Sequence, residues 1–96
     1  MAGNDVRTVR VRIEGRVQGV GYRYWAERTA AGLGLSGWVR NRRDGSVEAV
    51  LSGTPEVLAR MLDLCRSGPP AAEVDAVTSA EETEVPAPGF TTRPTG

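Results

Sequence analysis

The 96-residue chain has no histidine, and all twelve of its cations are arginine, with no lysine. Without an imidazole, Ser-His-Asp and Cys-His nucleophilic mechanisms are excluded, and so are the usual zinc sites. Cys65 is the only cysteine. No intrachain disulfide can form, and its place on an apolar helical stripe marks it as a small core residue. Aromatics are scarce, at 5 % of residues. No apolar run reaches membrane-spanning length, and the first five residues, Met-Ala-Gly-Asn-Asp, lack the hydrophobic stretch of a signal peptide. The cytoplasm is the expected compartment. Net charge is zero, which gives no global attraction to nucleic acid or to an acidic membrane.

The charges that are present are unevenly spread. Residues 1–48 carry nine arginines against five acids, and residues 49–96 carry three against seven. The length predicts one domain over 1–96 with a single two-layer core, frayed at 1–5 and 94–96.

In the cationic half, an apolar-alternating stretch runs into Gly15-Arg16-Val17-Gln18-Gly19-Val20-Gly21 and then into a helical pattern. Glycines let backbone amides converge on one point and remove the Cβ atoms that would hold an anion off. A helix N-terminus also favours negative charge, and Arg23 in its first turn brings a planar guanidinium able to grip two phosphate oxygens. This is a phosphate-sized cradle. A tight structural connection between strand and helix would look the same, so at this point both readings stand.

Along the chain, Thr8–Glu14 alternates as a strand, with Val9, Val11 and Ile13 on its apolar face. Tyr22, Trp25, Ala26, Thr29, Ala30 and Leu33 form a helical stripe that Gly34 ends. Leu35–Arg43 and Val47–Leu51 read as strands joined at Asp44-Gly45 in a hairpin. Thr54 is a candidate N-cap, with Pro55 at the first helical position. Leu58, Met61, Leu62 and Cys65 give the buried stripe of that second helix, and Gly68-Pro69-Pro70 stops it. Residues 72–78 read as a fourth strand without clean alternation, expected to carry a bulge. Residues 81–89 read as an exposed acidic loop, and 90–93 as a short edge strand.

The order βαββαβ predicts an α+β, ferredoxin-like sandwich: an antiparallel sheet with two helices on one face and a short fifth strand. With strand three between strands one and two, the latter run parallel and end at the same sheet edge. One end delivers the cradle and the other delivers Asn41, roughly 10 Å away. A phosphate with a water behind it would bridge that gap.

Two spaced motifs at that edge resemble the signatures of the acylphosphatase family. The first is Gly15-Arg16-Val17-Gln18-Gly19-Val20-Gly21-Tyr22-Arg23; the second is Gly37-Trp38-Val39-Arg40-Asn41, with Gly45, Val47 and Gly53 in register. The resemblance covers residues 6–78 and departs at two places. Tyr22 stands where that family usually has Phe or Met, so its hydroxyl needs a partner. Thr92 stands where an apolar residue is usual, which leaves the last strand expected to dock loosely.

The resemblance implies metal-independent hydrolysis of an acyl phosphate to a carboxylate and inorganic phosphate, the latter also an inhibitor, by a monomer with no cofactor. The implied phosphate-binding residues are Gly15, Arg16, Val17, Gln18, Gly19, Val20 and Arg23, and the implied catalytic pair is Arg23 with Asn41. A carboxylate leaving group needs no general acid, and phosphoryl transfer asks mainly for positioning and for charge stabilisation of the equatorial oxygens. Arg42 and Arg43 read either as anion recruiters or as a solvated hairpin tip. Asp44 reads as a turn residue, and Glu81, Glu82 and Glu84 as solvated. The competing class is a non-catalytic anion- or effector-binding module. An RNA reader of this fold would display aromatics on the open sheet face, where only Trp38 stands among Arg10, Arg12, Glu14, Arg40, Glu48 and Val50.

Overall fold

The computed structural model describes residues 5–96. Of the stretch expected to fray at the start, 1–4 lie outside the described residues. The elements run β1 (Arg7–Arg16), α1 (Tyr22–Gly32), β2 (Ser36–Asn41), β3 (Val47–Gly53), α2 (Pro55–Cys65), β4 (Glu73–Glu81) and β5 (Phe90–Thr92). They build one sheet in the order β4-β1-β3-β2-β5. β3 lies between β1 and β2 and is antiparallel to both, which leaves the ends of β1 and β2 at one edge, as the strand order requires. The added β5 pairs parallel with β2, so the sheet is mixed and not purely antiparallel.

The alternation read in the sequence is the alternation that packs. Val11, Ile13, Val39, Val47, Ala49 and Leu51 from the sheet meet Tyr22, Ala26 and Ala30 of α1 and Leu58, Met61 and Cys65 of α2 in one core. Thr54 caps α2, its hydroxyl accepting from Val57 N at 3.4 Å, with Pro55 where no N–H is needed and Glu56 in the first turn.

β1 is longer than predicted, because Gly15 and Arg16 stay in the sheet and pair with Val74 and Glu73. The register steps from Glu14 opposite Ala76 to Gly15 opposite Val74, which leaves Asp75 as the extra residue of the expected bulge. Gly15 lies so close to β4 there that a Cβ would collide with Glu73 O and stand 2.7 Å from Asp75 N. β4 also runs three residues past the predicted end, to Glu81, since β1 offers partners as far as Val9.

The C-terminal segment corrects two expectations. β5 is paired with β2 through Gly37–Phe90, Trp38–Thr91 and Val39–Thr92. Residues 94–96 do not fray: Gly96 N donates to Asn41 O at 3.0 Å, and Gly96 O accepts from Arg43 N at 3.3 Å.

The open sheet face is closed by charge. Glu48 accepts from Arg10, from Arg40 at 2.8 Å and from Arg42 at 3.0 Å, and Glu82 accepts from Arg10 at 2.9 Å. Burial pulls the Glu48 pKa up, but the arginine hydrogen bonds outweigh it and hold that carboxyl below its ordinary value. The guanidinium carbons of Arg10, Arg40 and Arg93 lie 5.8, 5.1 and 4.3 Å from the Trp38 ring centroid, which leaves Trp38 only 7 % exposed. No base could stack there without displacing arginines.

Candidate active site

The chain leaves β1, passes through the buried anchor Val17, and enters α1 at Gly21. Gly21 is the N-cap, with φ 83° and ψ 19° in the left-handed region, and has no capping side chain. The first turn of α1 also contains no acid, so its amides are left free to face an anion. Arg23 rises from this turn, and among the described residues it has no carboxylate within salt-bridge distance.

An open cavity of about 440 Å³ lies at this sheet edge. Val17, Gln18, Gly19 and Gly21 line it from the loop, Arg23 from the helix and Asn41 from the end of β2. Asn41 shares the sheet face of Val39, the face that carries the helices, so its position in the strand directs it towards the cradle.

Not every residue of the first motif joins them. Gly15 and Arg16 are held in the β1–β4 ladder and do not line the cavity, and Val20 packs against the core.

Gln18 has a second task that its sequence position did not reveal. Its side-chain amide donates to Arg42 O at 2.7 Å and to Ser46 O at 2.9 Å. The cradle is thereby tied across the sheet edge to the hairpin that begins just after Asn41. The hairpin is itself fixed by Asp44, whose Oδ1 accepts from Ser46 N at 2.9 Å and from Ser46 Oγ at 2.7 Å, as its turn role predicts. Those bonds, with Arg12 at 2.6 Å, hold the Asp44 carboxyl well below the usual range. Arg42 serves Glu48 and not the cavity.

Three wall residues were not read as part of the site in the sequence: Tyr24, Glu27 and Thr92. Glu27 lies one turn after Arg23 on α1, in reach of it by spacing. Instead, Thr92 Oγ1 donates to Glu27 Oε1 at 2.9 Å. The residue that looked like a defect in β5 therefore pins that strand to α1 and gives the carboxylate a partner other than Arg23.

The chemistry available is narrow. Cys65 is buried on the far helix, and burial pushes its thiol up to about 11, so it is no nucleophile near neutrality. Among the described residues, no three or more acidic, cysteine or histidine side chains come together as a metal site. What the edge presents is free backbone amides, the Arg23 guanidinium without a carboxylate partner and the Asn41 carboxamide around one open cavity.

Together, the ferredoxin-like sheet and this cradle define a small phosphate-handling α+β domain. The model of the acylphosphatase family matches residues 9–92, and the chain belongs to that family. It is 62 % identical over 71 residues to an acylphosphatase of Bradyrhizobium diazoefficiens, covering 74 % of this chain and 72 % of that one. It is 49 % identical to an acylphosphatase of Rhodospirillum rubrum, over 93 % of this chain and 98 % of that protein. The solved structure of an acylphosphatase from Coxiella burnetii superposes with a TM-score of 0.89 at 31 % identity, covering 93 % and 94 % of the two chains.

Proposed function

We propose that this protein is an acylphosphatase that hydrolyses carboxylic-phosphoric anhydrides, with Arg23 and the loop amides holding the phosphoryl group and Asn41 orienting the attacking water. The observation that carries this reading is the meeting of an unpaired Arg23, the open amides of the α1 N-terminus and Asn41 in one cavity. Water oxygen forms the new bond to phosphorus while the bond from phosphorus to the acyl oxygen breaks. The carboxylate leaves with the electron pair, unprotonated, because its conjugate acid has a pKa of about 4. The water's proton passes to a phosphate oxygen, since Asn41 is no base. Arg23 and the amides stabilise the equatorial oxygens without needing to move.

Within this reading, Val17, Gln18 and Gly19 contribute the cavity side of the cradle. Gly15, Arg16 and Val20 shape it from behind, by strand pairing and core packing. The enzyme acts on a small molecule as a single-domain monomer of the cytoplasm; in support of the compartment, lone Cys65 is free and buried. Among the described residues, no helix is long and apolar enough to cross a membrane. A non-catalytic module is the weaker reading, because binding an anion would not require Asn41 beside the cradle.

Asn41 supplies the test. Asn41→Ala should keep the inhibition constant for inorganic phosphate within a few-fold while turnover of benzoyl phosphate falls by about 10²–10³, the range for loss of one preorganised group. Asn41→Asp should lose both, since a carboxylate beside the cradle repels phosphate. Unchanged turnover in both variants would remove Asn41 from the mechanism.

A further inference from the structure

The acyl half of the substrate must lie somewhere, and the in-line geometry limits where. On α1, with 3.6 residues per turn, Arg23 and Glu27 lie about 40° apart on one flank, while Trp25 and Thr29 lie roughly 200–240° further round. The first flank faces β2 and β5, the source of Asn41 and Thr92. On the opposite flank runs a second groove of about 420 Å³, lined by Tyr24, Trp25, Arg28, Thr29 and Pro69. The two spaces share two lining residues, Gly21 and Tyr24, so the groove borders the phosphate cavity. In-line attack puts the water and the leaving oxygen on opposite sides of phosphorus. With the water on the Asn41 side, the acyl group departs towards this groove.

The lining has a definite chemistry. Tyr24 is 66 % exposed and lines both spaces without being part of the core. Trp25 and Pro69 add apolar surface, and Gly21 puts no side chain in the way. Arg28 rests on a single neighbour: its Nη1 donates to Tyr24 Oη at 2.9 Å, and its guanidinium lies 5.4 Å from the centroid of the same ring. Among the described residues no carboxylate pairs with it. A flat apolar acyl body would lie against Tyr24, and a second anionic group at its far end would meet Arg28.

We propose that this groove is the acyl subsite, that it selects aromatic acyl phosphates over small aliphatic ones, and that Arg28 favours acyl rings carrying a distal carboxylate. The proposal rests on the acylphosphatase reading above, and it makes Tyr24 and Arg28 specificity-determining residues.

The test compares kcat/KM for acetyl phosphate, benzoyl phosphate and 4-carboxybenzoyl phosphate, with inorganic phosphate inhibition alongside. Tyr24→Ala should lower the benzoyl-to-acetyl ratio about tenfold through lost apolar contact. Arg28→Gln should lower the carboxybenzoyl-to-benzoyl ratio about fivefold, the scale of a partly exposed charge contact, and leave benzoyl-to-acetyl within about twofold. Thr29→Trp, which fills the groove from its floor, should reproduce the Tyr24→Ala loss of preference without touching Tyr24. Unchanged ratios in all three variants, in a parent that turns over acetyl phosphate, would overturn the subsite and spare the catalytic reading. A parent inert towards all three substrates would overturn both.

Discussion

The hydroxyl of Tyr22 gives a quantitative test of how the site's helix is anchored. Cys65 is the last residue of α2, and the helical donor for its carbonyl would be the N–H of the residue four further on. That residue is Pro69, which has none. Tyr22, 2 % exposed, supplies the missing donor, its Oη–H reaching Cys65 O at 2.7 Å. Tyr22→Phe keeps the ring and its edge contact with Trp25 but leaves a buried carbonyl without a partner. A typical net hydrogen bond contributes about 1 kcal/mol, and an orphaned buried acceptor costs about 1–3 kcal/mol, so the expected loss is about 1.5 kcal/mol. In a domain of this size that lowers Tm by about 6–12 °C. The assay is calorimetric or dichroic melting of the two proteins at pH 7, with the phosphate inhibition constant as a control. Burial raises the Tyr22 pKa, so the folded protein holds that proton more tightly than the unfolded chain does. The hydroxyl's contribution is then constant at neutral pH and declines only as pH rises past its ordinary value of 10.0. A Phe variant that melts within about 2 °C of the parent, or above it, would refute the anchoring role.

Arg23→Lys should retain charge but not the fork, and benzoyl phosphate turnover should fall by at least about tenfold; equal activity would mean that charge alone suffices. Turnover should survive excess EDTA, since the proposed stabilisation comes from Arg23 and amides, and loss restored by magnesium would contradict the mechanism. Glu48 has a depressed folded pKa, so the stability it provides is present above its ordinary value of 4.5 and lost as pH falls through the folded value. Replacement by Gln should flatten the acid limb of a Tm-against-pH curve, and an unaltered slope would count against the arginine cluster as its cause.

The parts of this molecule legible in the sequence are those set by period and by neighbours in the chain. Val11, Val39 and Leu51 declare their faces by alternation, and Thr54-Pro55-Glu56 declares a helix start by local chemistry. Strand order made it legible that the cradle and Asn41 share one edge, and the resemblance to the acylphosphatase signatures singled out Arg23 and Asn41 there. What stayed hidden depends on contacts between distant segments. Nothing near Gln18 says that its amide reaches Arg42 O and Ser46 O, and nothing near Thr92 says that Glu27 will accept its hydroxyl. Gly15 reads as a loop glycine until the β4 backbone is found against it. The proposed acyl groove was invisible for the same reason, since Pro69 comes to line one space with Trp25 and Thr29 only in the folded chain.

The short C-terminal strand also covers the outer side of the strand that carries Asn41. β2 carries Asn41, and without β5 it would be the last strand of the sheet, with unpaired backbone donors and acceptors on its outer side. Phe90–Thr92, followed by Arg93 N donating to Val39 O at 2.9 Å and Gly96 N to Asn41 O, occupies that side as far as the residue proposed to orient water. An exposed strand edge is a template for pairing with another chain. A strand seeking the edge of β2 would have to evict β5 and would arrive beside Asn41 itself. The same seven residues, Phe90 to Gly96, thus cover the edge of β2 and hold the backbone at Asn41.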